Sequence, residues 1–380
     1  MFSSKIPIDR NVCFFGIGAL IEECFDQLVS AIGRSPNFFC DNASDKWGQF
    51  YFGTKCISPR TLANLAENTV VVITVKNHEA ILEQLIKLGI KEIYLALYKR
   101  AYNAIGRVER LPFRDDLSQR LVHPVNSVRG KWTLVTGASR GCGRVIATEM
   151  ARLGSNVIVH GRCKANTEEV DQECSAFGVQ TLAVGARLEK ADDLKRMLAI
   201  IDRSVSRVDI VFNNAGISPG DTTETMDCVN ERFKTVFAVN TIAPIQISYH
   251  FIPKMTHSGY GRIINVTSSI QKRPKEMAYA CSKAALNKFV YDYAPSLNGT
   301  GVMMSLADPG WLKTDMGGAA ALHPVESVSP GILLGALLDF DVNGQWLGAQ
   351  EYRGMNLEQA SYKAIALLSY ATISDLNKGE

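Results

Sequence analysis

Short apolar runs, several of them β-branched, alternate along this chain with longer stretches in which apolar residues recur every three or four positions. That pattern predicts strands leading into helices, hence an α/β architecture built on parallel sheets. The first unit opens with the run Val12–Phe15. It meets Gly16-Ile17-Gly18 and passes into a helical pattern at Leu20, Ile21, Cys24, Phe25, Leu28 and Val29. Further strands are predicted at Asn37–Cys40, which ends at Asp41-Asn42, and over the β-branched run Thr69–Val75. A helix from His78 to Leu88 with Gly89 as its C-cap follows, then a strand over Glu92–Leu97. This order has the size of a small Rossmann-type half and sets residues 1–98 apart as an N-terminal domain.

The pattern then breaks. Over residues 99–129, Lys99, Arg100, Arg107, Arg110, Arg114, Arg120 and Arg129 outnumber Glu109, Asp115 and Asp116, and apolar periodicity is poor. The stretch reads as a basic linker, either a solvated connector or an anion-binding segment. From Gly130 the alternation resumes. Strands are predicted at Trp132–Thr136, Asn156–His160, Val208–Asn213, Arg262–Thr267 and Val302–Leu306, with a helix at Val145–Leu153. The expected fold is a doubly wound parallel sheet of Rossmann type over residues 130–380, preceded by a smaller Rossmann-like α/β domain.

Composition narrows the class. With 380 residues, 46% hydrophobic and 21% charged, the chain can build two full cores, which excludes disorder, collagen and coiled coil as its main character. A net charge of +3 is too small to argue for nucleic acid or a membrane surface. The nine cysteines are scattered without a CxxC pair. They suit a reducing compartment and argue against a disulfide scaffold or a structural zinc site. The apolar run Val12–Ile21 stops at Glu22-Glu23 and does not read as a signal peptide, so a soluble cytoplasmic protein is expected.

Six motifs carry chemistry, in order. Thr136-Gly137-Ala138-Ser139-Arg140-Gly141-Cys142-Gly143 lies where a strand turns into a helix. Glycines there permit a tight turn and close approach of a pyrophosphate, and a helix N-terminus offers free N–H groups. The bland alternative is a plain glycine-rich turn. Asn213-Asn214-Ala215-Gly216 ends a strand, Asn240 lies in a helical stretch, and Ser268 follows the strand Arg262–Thr267. Tyr279 and Lys283 come next, then Asp308-Pro309-Gly310-Trp311. Spaced four apart, Tyr279 and Lys283 share a helix face. A nearby ammonium lowers a tyrosine pKa from its ordinary value of about 10, toward a useful acid and base. Ser268 can hydrogen-bond a substrate carbonyl and polarise it.

In this order and spacing, TGxxxGxG, NNAG, Asn, Ser, YxxxK and PG resemble the short-chain dehydrogenase/reductases over about residues 130–380. The resemblance implies an oxidoreductase that moves hydride between a nicotinamide and a carbonyl carbon. It implies catalytic roles for Tyr279, Lys283, Ser268 and Asn240, with Lys283 also holding the nicotinamide ribose and Asn240 organising a water. It implies cofactor contacts from Gly137, Ser139, Arg140, Gly141, Gly143, Asn214, Ala215, Gly216, Tyr279, Lys283, Pro309, Gly310, Leu312 and Thr314. Family members commonly form homodimers or homotetramers through the helices carrying Asn240 and Tyr279. The ending PGWLKTDMGG is similar to the branch related to bacterial C-signal proteins.

The cofactor choice has its own signal. The strand Asn156–Val159 is followed by His160-Gly161-Arg162, with no acidic residue to bind ribose hydroxyls. Arg162 and Arg140 are placed to flank a 2′-phosphate, so NADP(H) is expected; two solvated arginines beside NAD is the alternative. Two departures from the family stand out. Arg187 occupies the place of the Asp that contacts adenine. The segment after Ser268 is short and basic, with Lys272, Arg273 and Lys275. Those three bind a substrate phosphate or form a solvated loop, and Trp311 joins them as a candidate substrate contact.

The pattern of residues 1–98 resembles small Rossmann-like domains attached to bacterial sugar-modifying enzymes. Three readings stand for it: a domain kept for assembly or stability, a nucleotide-sugar site involving Asp41-Asn42, and a second dinucleotide site. The combined expectation is an NADP(H)-dependent reductase of a sugar or nucleotide-linked sugar in polysaccharide biosynthesis. The alternatives are a non-catalytic binding protein on the same fold and a nucleotide-sugar epimerase or dehydratase. The spacing of Gly137, Gly141 and Gly143 disfavours the last.

Overall fold

The computed structural model describes residues 9–75, 81–82, 84–85, 88–99, 104–110, 127–219, 226–270 and 276–376. The chain divides into two compact units, Met1–Val122 with Tyr362–Glu380, and His123–Ser361.

The first unit is built on β1 (Asn11–Phe15), β2 (Phe38–Cys40), β3 (Phe50–Tyr51), β4 (Thr54–Ile57), β5 (Thr69–Ile73), β6 (Glu92–Lys99) and β7 (Ala104–Arg110). Their order is β3-β4-β2-β1-β5-β6-β7. The inner five run parallel and the two edge strands antiparallel. The pleat of β1 sends Cys13 and Phe15 into one core layer and Val12 and Phe14 into the other, as a strand covered on both faces requires. The helix Ala19–Ile32 follows β1 as expected, and Gly89 adopts φ +76°, suited to a C-cap. Part of the helix expected over 78–88 lies outside the described residues.

Two elements of this unit had no sequence signal. Residues 104–110, expected within the basic linker, form the edge strand β7 against β6. An edge strand needs little apolar surface, and its charged residues hide the pattern. The hairpin β3–β4 turns at Phe52 and Gly53, with φ +48° and +77°. Such turns favour Asn-Gly, so a phenylalanine there masks the turn. Phe52 is compensated by stacking on Phe25, ring centroids 4.2 Å apart.

The second unit carries β8 (Trp132–Val135), β9 (Asn156–Gly161), β10 (Thr181–Gly185), β11 (Ile210–Asn213), β12 (Gly261–Val266), β13 (Val302–Asp308) and β14 (Trp346–Gly348). All run parallel, in the order β10-β9-β8-β11-β12-β13-β14. Leu134, Ile158, Val211 and Ile263 enter one core layer, and Val135, Val157, Phe212 and Ile264 the other. This is the doubly wound sheet expected from the sequence. Strand order reverses between β8 and β11, which opens a crevice at their carboxyl ends. The motif residues of this unit gather along that edge.

Candidate active site

The glycine-rich turn joins β8 to the helix Gly141–Arg152. Gly137 and Gly141 take φ +64° and +58°, the left-handed region glycine enters without strain. Space enforces the same residues. A Cβ at Gly137 would lie 2.8 Å from Cα of Ala215, and one at Gly143 would lie 2.2 Å from the Gly137 carbonyl oxygen and 2.5 Å from Nδ2 of Asn214. Asn214 is spent on this packing: its Nδ2 donates to the carbonyls of Thr136 at 2.9 Å and Gly137 at 3.2 Å. The Thr136 hydroxyl accepts the N–H groups of Asn214 and Ala215, each at 3.0 Å. The two motifs are therefore one structure, a turn locked by the strand end beside it.

Ser268 lies just past β12, where its hydroxyl acts to lower the Tyr279 pKa and accepts the Ile270 N–H at 3.3 Å. Tyr279 and Lys283 stand on the helix Met277–Tyr293, with the ammonium 5.9 Å from the phenol ring centroid. Lys283 is buried, and its Nζ donates to the Val266 carbonyl at 2.7 Å. Asn240 sits in a single π-helical turn, Ala238–Ile242, between two α-helices. Such a bulge re-aims side chains and recurs at functional sites. Its Oδ1 accepts the Ile217 N–H at 2.9 Å, and its Nδ2 donates to the Ile217 carbonyl and to Oγ of Ser282, both at 3.0 Å. Gly216 closes the group: a Cβ built on it would lie 3.5 Å from Oδ1 of Asn240 and 3.7 Å from Nζ of Lys283. Ser268, Tyr279, Lys283 and Asn240 thus converge on one edge of the sheet.

Burial sets the protonation states. It pushes the Tyr279 phenol up to about 12; the Ser268 hydrogen bond pulls the other way, and the carboxylates of Asp308 and Glu276 add to the rise. Burial also brings the Lys283 ammonium down to about 8, against the opposing pull of Asp308. The expectation that Lys283 brings the Tyr279 phenol down is therefore corrected: desolvation raises the phenol, and the Lys283 ammonium is itself desolvated and bonded to a backbone carbonyl. Asp308 opens the motif Asp308-Pro309-Gly310-Trp311, and the sequence assigns it no role. It is buried, and its carboxylate accepts the N–H groups of Ser269 at 3.0 Å and Gly310 at 2.9 Å, joining the loops after β12 and β13.

The sequence profile of the short chain dehydrogenases matches residues 131–323, the stretch that contains the turn, the tetrad and the loop after β13. The chain belongs to the short chain dehydrogenases. Among related proteins, a hydroxynaphthalene reductase-like protein of Metarhizium robertsii is 31% identical over 210 residues, 54% of this chain and 77% of its own. The 3-oxoacyl-[acyl-carrier-protein] reductase of Staphylococcus epidermidis is 33% identical over 195 residues, 49% of this chain and 77% of its own. Among solved structures, a protein assigned as an NAD(P) dependent gluconate 5-dehydrogenase from Beutenbergia cavernae, with NADP bound at low occupancy, is 27% identical with a TM-score of 0.52. That alignment covers 59% of this chain and 96% of the other.

Whether this short chain dehydrogenase can take a dinucleotide is tested on the turn itself. The N–H groups of Ser139 and Arg140 meet no backbone acceptor among the described residues, and helix geometry leaves the next few N–H groups without one. These donors and the dipole of the following helix fit a pyrophosphate. Arg162 follows β9 and is exposed; Arg140 is exposed too and pairs with Asp315, Nη1 to Oδ2 at 3.1 Å. Thr314 packs its methyl 3.3 Å from where a Gly141 Cβ would be, so the loop after β13 lies against the glycine turn. Leu312 is buried in the core, while Trp311 is exposed with Nε1 donating to the Gly317 carbonyl at 2.9 Å. Arg187 is exposed and ion-paired with Glu189 at 2.7 Å. Lys272, Arg273 and Lys275 lie outside the described residues.

The first unit of this short chain dehydrogenase uses its own motif differently. Asp41 is buried, with Oδ2 accepting the Ile17 N–H at 2.7 Å and Nζ of Lys46 at 2.9 Å, and Oδ1 accepting the Ala43 N–H at 2.9 Å. Asn42 exchanges two amide hydrogen bonds with Gln84, each 2.9 Å. The residues expected to meet a ribose or base are engaged within the unit. An internal carboxylate already takes the N–H that a phosphate would use at Gly16-Ile17-Gly18.

Proposed function

We propose that the unit His123–Ser361 is an NADP(H)-dependent reductase of a ketone, acting through Tyr279, Ser268, Lys283 and Asn240. The convergence of these four side chains beside the glycine turn carries the reading. A dinucleotide held at the glycine turn would supply the hydride for the carbonyl carbon. The Ser268 hydroxyl, beside the phenol, turns its one hydrogen to the substrate oxygen and polarises it. Tyr279, held as a neutral phenol by burial, gives its proton to the same oxygen as negative charge develops there. Lys283, protonated below about pH 8, holds positive charge beside the phenol, and Asn240 fixes the backbone around it. A buried phenol is a proton donor in its resting state, which favours the reductive direction.

Exposed Arg140 and Arg162, with no acidic residue ending β9, support NADP(H) over NAD(H). The Beutenbergia protein with NADP bound points the same way. The substrate we propose is a sugar or nucleotide-linked sugar. Glu276 acts on the charge of Tyr279 and accepts the Ser218 hydroxyl at 3.4 Å, so it offers a carboxylate to substrate hydroxyls. Homodimers or homotetramers would cover the exposed Ile242, Tyr249, Met277 and Tyr291 on and beside the two helices flanking the site. Among the described residues no helix is long and apolar enough to cross a membrane. Eight of the described cysteines form no disulfide, which suits the cytoplasm.

The test is NADPH and NADH oxidation against keto-sugars, nucleotide keto-sugars and simple ketones. NADPH should be preferred, and a hydroxylated ketone should be the best substrate. A preference for NADH overturns the cofactor reading. Undiminished turnover by Tyr279→Phe overturns the mechanism.

A further inference from the structure

His160, the penultimate residue of β9, is buried between the glycine turn and the end of β10. Its Nδ1 accepts the Gly137 N–H at 3.1 Å, and its Nε2 meets the Ala186 carbonyl oxygen at 3.0 Å. Both partners are backbone groups with a single possible role. The carbonyl can only accept, so Nε2 carries the hydrogen; the amide can only donate, so Nδ1 is bare. The contacts therefore demand one neutral tautomer. Burial supports it by holding the imidazole down to about 4. The main chain of His160 adds a third tie, its carbonyl accepting the Ala138 N–H at 2.8 Å.

The placement matters more than the bonds singly. Gly137 is the first glycine of the turn, and its carbonyl is held from the other side by Asn214 at 3.2 Å. His160 and Asn214 together fix the peptide groups on both sides of Gly137, so the turn has one path. Along that path the N–H groups of Ser139 and Arg140 meet no backbone acceptor among the described residues. Ala186 follows β10 in the stretch Gly185–Leu188, which the resemblance to the family sets at the adenine, and its N–H donates to the Gly161 carbonyl at 3.0 Å. The imidazole thus joins the pyrophosphate turn to the loop on the adenine side, although it reaches neither outer surface.

We propose that His160 is a positioning residue for dinucleotide binding: as a neutral imidazole bridging Gly137 and Ala186, it holds the two loops that frame the adenosine end of the cofactor. This rests on the reading of the site as a dinucleotide site. The residue acts through backbone, so its loss should weaken cofactor binding and leave the chemical step intact.

The test titrates NADPH into the full-length wild-type chain, His160→Asn and His160→Leu, by calorimetry and by energy transfer from tryptophan to bound NADPH. Asparagine can present Oδ1 to the Gly137 N–H; leucine fills similar space without an acceptor. We expect His160→Leu to bind NADPH about tenfold or more weakly and His160→Asn to stay within about threefold of wild type. KM for NADPH should follow, with kcat at saturating NADPH within about twofold for both. Equal affinity of His160→Leu and wild type overturns the inference, as does an equal loss in both variants. A wild-type chain that binds neither NADPH nor NADH overturns the site reading together with it. Should His160→Leu fail to fold, the wild-type chain labelled with ¹⁵N at histidine and glycine decides. A bare Nδ1 with scalar coupling to the Gly137 amide nitrogen is expected, and a protonated Nδ1 overturns the inference.

Discussion

Asn240 grips the backbone of Ile217 at both ends, accepting its N–H at 2.9 Å and donating to its carbonyl at 3.0 Å. A side-chain amide here does what a neighbouring strand would do. It ties the segment following the NNAG motif to a π-helical turn, beside the buried ammonium of Lys283. Replacing Asn240 by Ala leaves two backbone groups and Oγ of Ser282 without this partner. Unmade bonds of this kind cost about 1–3 kcal/mol each when buried. The variant should lose about 3 kcal/mol or more, roughly 6–12 °C in Tm, and kcat should fall more than KM changes. Thermal unfolding with steady-state kinetics checks this; an unchanged Tm shows that the clamp is not needed.

Lys283 should set the basic limb of the pH profile. Its ammonium titrates at about 8 in the cofactor-free protein. The kcat/KM for the dinucleotide reports groups of the free enzyme. In the reductive direction it should be constant below about pH 8 and fall above it as Lys283 loses its charge. A profile flat from about pH 7 to 10 contradicts the assignment.

His160 should make the second unit sensitive to mild acid. Its folded-state pKa of about 4 lies below the ordinary 6.5, so between these values the unfolded chain binds the extra proton. Stability therefore rises with pH through this window and is lost as pH falls from about 6.5 to about 4. The loss should approach about 3 kcal/mol, from a shift of roughly two and a half pKa units. Urea midpoints across that range should fall more steeply for wild type than for His160→Asn. Parallel curves would show that His160 does not carry the effect.

The two glycine motifs should respond oppositely to alanine. At Gly143 a Cβ meets the Gly137 carbonyl at 2.2 Å, and a backbone oxygen held by Asn214 cannot yield cheaply. Gly143→Ala should destabilise by about 1–3 kcal/mol and weaken NADPH binding severely. At Gly18 the backbone is extended, with φ −155°, and a Cβ meets nothing within 4 Å. Gly18→Ala should be neutral to within about 0.5 kcal/mol. Denaturation of both variants checks the contrast; a large loss at Gly18 would point to a ligand or contact at the first unit's turn.

Much of this protein is determined by local patterns. Apolar runs at period two and apolar stripes at helical period place most strands of both sheets, because a buried strand must be apolar throughout. The spacing of Tyr279 and Lys283 puts them on one helix face; that Ser268 and Asn240 join them is what the resemblance to the family implies. The hairpin at Phe52-Gly53 and the charged edge strand Ala104–Arg110 escaped, since stacking on Phe25 and pairing with β6 outweigh poor local signals.

Only tertiary structure decides how the site is tuned and braced. Burial depends on what surrounds a group, so no spacing reveals that Tyr279 is held as a phenol or that Lys283 is brought down to about 8. Asp308 reads only as the end of a strand until its carboxylate is seen joining two loops. His160 looks like the polar end of a strand until Gly137 and Ala186, 23 and 26 residues away, close on its two nitrogens. The same holds for Asp41, which by sequence suits a ribose and in the fold serves Ile17 and Lys46. Residue types and their periods reflect local backbone geometry. Electrostatics and long-range hydrogen bonds exist only once distant segments have met.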